Sequence, residues 1–126
     1  MKKLYYPAIF HPEEVGFSVS VPDLEGCFTQ GDTLEETLNS IQDAIGLYLD
    51  GEENVPTPSV PGSVAVPQGD FMMVVPFDPL AYQRRHNTRA VKKTLSLPAW
   101  LNEAAEAAHI NFSSVLQDGL KHQLGL

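Results

Sequence analysis

From Val91 to Leu124 the chain spells one short strand and two short helices, and that is too little to enclose a core. In Val91-Lys92-Lys93-Thr94-Leu95-Ser96-Leu97 the leucines point one way, and Lys92, Thr94 and Ser96 point the other. Pro98 suits a first helical turn, where its missing donor costs nothing. Leu101, Ala104, Ala105 and Ala108 then make a narrow, alanine-rich face. His109-Ile110-Asn111 turns the chain, and after Phe112 a second helix, capped by Ser113, carries Val115, Leu116 and Leu120 on its inner side. Folding units below ~40 residues usually need a staple, a metal or a partner. Cys27 is the single cysteine, and no ligand set lies in this segment. A second copy is the remaining solution: the strand pairs antiparallel with its two-fold mate, and four helices close over the inward leucines.

Such a pairing leaves Lys92, Thr94 and Ser96 of both chains on one exposed ribbon. A two-stranded ribbon fits the major groove of B-DNA, where Lys donates to guanine and hydroxyls read donors or acceptors. Arg89 and Lys93 add nearby charge, and the amides of Ser113 and Ser114 at a helix start can hold a phosphate. The plainer readings are a solvated basic linker, or a dimerisation module that never meets DNA.

A formal net charge of -8 argues against nucleic acid until it is split by position. Residues 1–79 carry two basic residues against thirteen acidic ones, a balance of -11. Residues 80–126 carry six against three, a balance of +3. Arg84, Arg85, Arg89, Lys92 and Lys93 crowd into ten residues. The acidic part repels DNA, which leaves the basic ribbon as the part expected to touch it.

Within residues 1–79 the pattern predicts a small α+β layer. Residues 3–10 read as a strand, with Pro7 on an edge or at a bulge because it lacks a donor. His11–Glu14 turns into a second strand, in which Val15, Phe17, Val19 and Val21 alternate with small residues. Pro22–Gly26 is a turn, and Cys27–Gln30 a short third strand ended by Gly31. Asp32 or Thr33 caps a helix through Asp32-x-x-Glu35 or Thr33-x-x-Glu36. Its inner face is Leu34, Leu38, Ile41, Ile45 and Tyr48, and Gly51 stops it. Four prolines make residues 52–69 a semi-rigid loop, with room for a strand near Ser63–Val66. Phe71–Phe77 is a buried returning strand, and Pro79–His86 adds a helical turn. The expected division is 1–79 for the first domain, 80–88 for a linker and 89–126 for the second.

At the basic-polar strand, Leu97-Pro98, helix, short turn and Ser-capped helix, residues 91–124 resemble the ribbon-helix-helix DNA-binding family. Val21-Pro22-Asp23-Leu24-Glu25-Gly26-Cys27-Phe28-Thr29-Gln30-Gly31-Asp32-Thr33-Leu34-Glu35-Glu36 is similar to the signature of HicB-type antitoxins, with Glu25 where that family most often carries Pro. The two resemblances together span nearly the whole chain. They imply a truncated ribonuclease-H-like domain that neutralises a small, basic, HicA-like toxin cleaving messenger RNA. They also imply a homodimeric, or higher-order, ribbon-helix-helix domain that represses the shared operon by binding operator DNA. Acidic residues 1–79 offer such a toxin a complementary field. Asp23, Glu25 and Asp32 are the candidate toxin contacts, and each also serves as an ordinary turn or cap residue.

Two other functions compete. One is a stand-alone ribbon-helix-helix regulator whose first domain senses a ligand; the other is a nuclease. A metal-dependent nuclease needs carboxylates converging from separate strands, and the first two strands hold none in their cores. An enzyme is therefore not expected. Cys27 has no basic neighbour in sequence and reads as a structural thiol. His11, His86, His109 and His122 show no zinc spacing, and Trp100 belongs at a dimer edge. No cofactor or metal is expected. The charged, proline-broken start and the lack of any ~20-residue apolar run point to a cytoplasmic protein without a membrane segment.

Overall fold

The computed structural model describes residues 2–126, which fall into two compact units: a first one running to Arg89 and a second, Ala90–Leu126. Together they contain an antiparallel sheet and four helices, a mixed α+β composition.

In the first unit the order is β1 (Leu4–Pro12), β2 (Phe17–Ser20), β3 (Phe28–Gly31), α1 (Leu34–Leu49), β4 (Phe71–Phe77) and α2 (Pro79–His86). The strands lie β3-β2-β1-β4, each antiparallel to its neighbour. Alternation along β1 puts Tyr6, Ala8 and Phe10 on one face, and the register aligns Val19, Phe71, Met73, Val75 and Phe77 with them. Ile41 and Ile45 of α1 complete this core with Leu24, and all three are fully buried. The Phe71 ring stacks on Phe10 at 5.2 Å and meets Phe17 edge-on at 5.8 Å, joining β4 to β1 and β2.

Pro7 sits in an inner strand, yet its lack of an N–H costs little. It pairs with Val74 of β4, while the ladder to β2 begins only at Ile9↔Ser20, so that side of Pro7 is locally an edge. Val15 departs from the expected strand. Its turn is closed by the Glu13 amide donating to Gly16 O at 2.9 Å, and Val15 is exposed. Gly16 takes φ +78°, and a Cβ there would lie 2.0 Å from the Gly31 carbonyl oxygen, so the turn needs glycine for both reasons.

Thr33 caps α1: its hydroxyl accepts from the Glu36 amide at 3.1 Å, and the Glu36 carboxylate reaches back to the Asp32 amide at 3.1 Å. The expected inner face holds except at Leu34, which lies at the exposed margin; Thr37 is buried instead, with its hydroxyl donating to Thr33 O. Residues 63–66 form no strand. A single 3-10 turn, Pro61–Ser63, occurs there, and its prolines leave too few donors for a ladder.

Helix α2 occupies most of the segment expected to be a linker. Asp78 caps it by accepting from the Leu80 and Ala81 amides, and Pro79 opens it. Its Tyr82 ring lies over Gly46 of α1, where a Cβ would approach within 2.1 Å, and tilts against Phe77 at 5.8 Å. A glycine inside a helix thus admits the ring that docks α2.

The second unit contains α3 (Ala99–Ala107) and α4 (Phe112–Leu124). Residues 90–98 form no ladder within the single chain, since a lone strand has no partner to bond. His109 adopts φ +55° to end α3, and the Ile110 amide donates back to Ala105 O. The cap of α4 is Asn111 rather than Ser113, because the Asn111 side chain already accepts from the Ser114 amide at 3.1 Å. Gly125 closes α4 in the left-handed conformation.

Candidate functional site

The second unit buries none of its apolar side chains fully. Leu95 and Leu97 are about half exposed, at 55% and 49%, and Leu101, Val115, Leu116 and Leu120 are open too. These side chains are not scattered. Leu95, Leu97, Leu101, Ala105, Phe112 and Leu116 line a single groove of about 540 Å³ between the extended segment and the two helices. Lys93 lines it with them, as the odd-numbered partner of Leu95 and Leu97. Period-two alternation then sets Lys92, Thr94 and Ser96 on the opposite side of the segment, where all three are exposed. Lys93 thus falls with the leucines and not with the polar row.

In the first unit Asp23 is half-buried and tied down. One carboxylate oxygen accepts from the Ser59 amide at 2.8 Å and the other from the Ser59 hydroxyl, which anchors the proline-rich loop to the 21–27 turn. The Tyr6 hydroxyl donates to Pro56 O at 2.6 Å and fixes the same loop. Burial, and then the Asp23 charge, raise the Tyr6 pKa above its ordinary value. Glu25 and Asp32 remain exposed. A family model for the HicB-like antitoxin of bacterial toxin–antitoxin systems matches residues 6–119 and so runs through both units.

The chain belongs to the HicB-like antitoxin family. It is 29% identical over 114 residues to antitoxin HicB 2 of Photorhabdus laumondii, covering 86% of this chain and 82% of that one. Antitoxin HicB 1 of the same organism is 39% identical over 67 residues, 49% of this chain and 43% of its own. Among solved structures, a toxin–antitoxin complex from Streptococcus pneumoniae matches with TM-score 0.56 and 24% identity over 97% of this chain and 99% of that one. The antitoxin HicB3 crystal structure matches with TM-score 0.52 and 20% identity, covering 95% and 97%. At these identities the structural likeness concerns the fold.

In this HicB-like antitoxin the structure brings together some of the residues chosen from sequence and separates others. Lys92, Thr94 and Ser96 share one side of one segment, and Arg89 is exposed three residues ahead. Ser113 and Ser114 stand in the first turn of α4, but the Ser114 amide is taken by Asn111 and is not free for a phosphate. Cys27 is buried, and that burial raises its pKa, which suppresses the nucleophilic thiolate. Among the described residues no three His, Cys, Asp or Glu side chains cluster as a metal site would require, and no helix is long and apolar enough to cross a membrane.

His11 contacts Asp70 at 2.5 Å, which ties the end of β1 to the residue before β4. The Asp70 hydrogen bond, and then its charge, raise the His11 pKa. Sequence reasoning missed this pair and the Asp23–Ser59 anchor. The partners lie 59 and 36 residues apart, and no local pattern joins them.

Proposed function

We propose that this HicB-like antitoxin neutralises a small, basic, HicA-like toxin that cleaves messenger RNA, and represses the operon encoding both. Its acidic first unit, a truncated ribonuclease-H-like layer, covers the toxin in the cytoplasm. Its second unit, a ribbon-helix-helix half, pairs with a second copy and reads operator DNA.

The observation that supports this division most is the empty apolar groove of the second unit. Eight apolar side chains line a space that their own unit does not fill. Burying them against the same surface of a second copy removes that exposure at about 25 cal/mol per Å². In a two-fold pair the segments at 91–97 gain the ladder each lacks alone, and Lys92, Thr94 and Ser96 come out on a shared ribbon.

Replacement Lys92→Ala should weaken operator binding by about 1–3 kcal/mol and relax preference at one base position per half-site. Electrophoretic titration against single-base operator variants reads both effects. Unchanged affinity and preference would remove the ribbon from the DNA interface. For the toxin, co-purification from the native operon should deliver a basic partner of under ~100 residues; a chain that emerges alone would favour a stand-alone regulator.

A further inference from the structure

The first unit holds five basic residues against thirteen acidic ones up to Arg89, so on average it repels phosphate. Three of those five, Lys3, Arg84 and Arg85, nevertheless line one groove of about 550 Å³ with Tyr5, Gln42 and Asp78. They come from opposite ends of the unit's sequence, brought together because β1 begins where β4 ends, at the pair Leu4↔Phe77, and α2 follows directly.

The carboxylate that lines it, Asp78, and the neighbouring Asp43 are both occupied. Asp78 is held by two amides at the start of α2. Asp43 binds Arg85 at 3.3 Å and lies 3.9 Å from His86. Among the described residues, Lys3 and Arg84 have no carboxylate within ion-pair distance, although the first unit holds thirteen acidic residues to five basic ones. Arg85 keeps donors to spare, since a guanidinium carries five N–H groups. Gln42 stiffens the wall by donating to Pro76 O at 2.9 Å.

From this geometry we infer that the groove of Lys3, Arg84 and Arg85 binds phosphate, and that its occupant is a backbone phosphodiester of operator DNA. The inference rests on the DNA-binding reading above. A cationic cleft repels a basic toxin, so this surface does not serve that partner. It adds a second point at which DNA is attracted to a chain whose first unit otherwise repels it. Arg85 and Lys92 are seven residues apart in sequence, so the chain between them spans at most ~25 Å. Phosphate contacts position a protein without reading sequence.

The test uses the full chain and a duplex spanning its own promoter. For Arg84→Gln, the slope of log K against log salt concentration should fall by about 1, with preference among base variants unchanged. Lys3→Gln should act in the same direction, whereas Lys2→Gln removes a neighbouring charge outside the groove and should leave the slope as it is. All three side chains are exposed, so a thermal melt should show the fold intact. Operator binding with an unaltered slope in Arg84→Gln overturns the inference, as does an equal fall in Lys2→Gln, which would mean diffuse charge. Resonances of Tyr5 and Gln42 that shift with millimolar inorganic phosphate while the slope stays put would assign the groove to a free anion and overturn its DNA role. A wild-type chain that binds no DNA at all sinks the reading beneath the inference as well, and is told apart by the absence of any slope to compare.

Discussion

The two units solve the same problem in opposite ways. In the first, Tyr6, Phe10, Leu24, Ile41, Ile45 and Val75 are all fully buried between a sheet and a helix of the same chain. In the second, side chains of the same chemistry stay open, and even Leu116 remains 38% exposed. The difference follows from the number of layers. Four strands and a helix close on each other, whereas two short helices and one extended segment have an inner side and nothing to lay it against. The incomplete core of the second unit is what the proposed second copy would complete.

The comparison breaks most visibly at Leu116. In the proposed two-fold pair, a carboxylate placed there by Leu116→Asp would enter the shared interior twice, once from each copy. Self-association should weaken by ~100-fold or more, equivalent to about 3 kcal/mol, and operator binding should go with it. Sedimentation against concentration measures the first, while near-ultraviolet dichroism should report an undisturbed first unit. A collapse of that unit too would mean that the two are not independent.

The complementary change is Ile41→Ala in the closed core. Removing a fully buried side chain should cost about 2–5 kcal/mol of unfolding free energy, read by urea denaturation of the first unit's signal. Association through the second unit should be unaffected below the denaturation midpoint. A matching loss of dimer affinity would contradict the separation.

The smallest effect sharpens the first unit alone. The His11 pKa is raised by Asp70 in the folded state, so the stabilisation is full below the ordinary histidine value of about 6.5 and disappears as pH climbs through the raised one. Thermal melts of wild type and His11→Gln should therefore differ most near pH ~6 and converge near pH ~9. A gap that widens with pH would show that the pair is not what the imidazolium stabilises.

Local chemistry made much of this legible in the sequence. The Thr33–Glu36 cap, the alternation of Phe17, Val19 and Val21, and the helical spacing of Leu38, Ile41 and Ile45 are each decided within a few residues, and the structure follows them. In the second unit Leu95 and Leu97 share one side as the alternation predicts, even without a ladder, whereas Lys93, expected among the DNA-facing charges, lines the groove with them. What stayed hidden depends on distance along the chain. Gly46 looks like a weak point in a helix until Tyr82 arrives from 36 residues away to occupy the space. Val15 continues a strand pattern, but the turn that Gly16 must make against Gly31 claims it. Ser113 and Asn111 are both good caps on composition, and only backbone geometry chose between them. Of the candidate toxin contacts, Asp23 turned out to be committed to Ser59, a partner no motif announced.

Amide hydrogen exchange at Leu95 and Leu97, followed across protein concentration, bears most directly on the central claim. Protection at both positions should rise with concentration, as each segment trades water for the backbone of a second copy. Protection that is strong and independent of dilution would place these leucines inside a single chain, and would contradict the account.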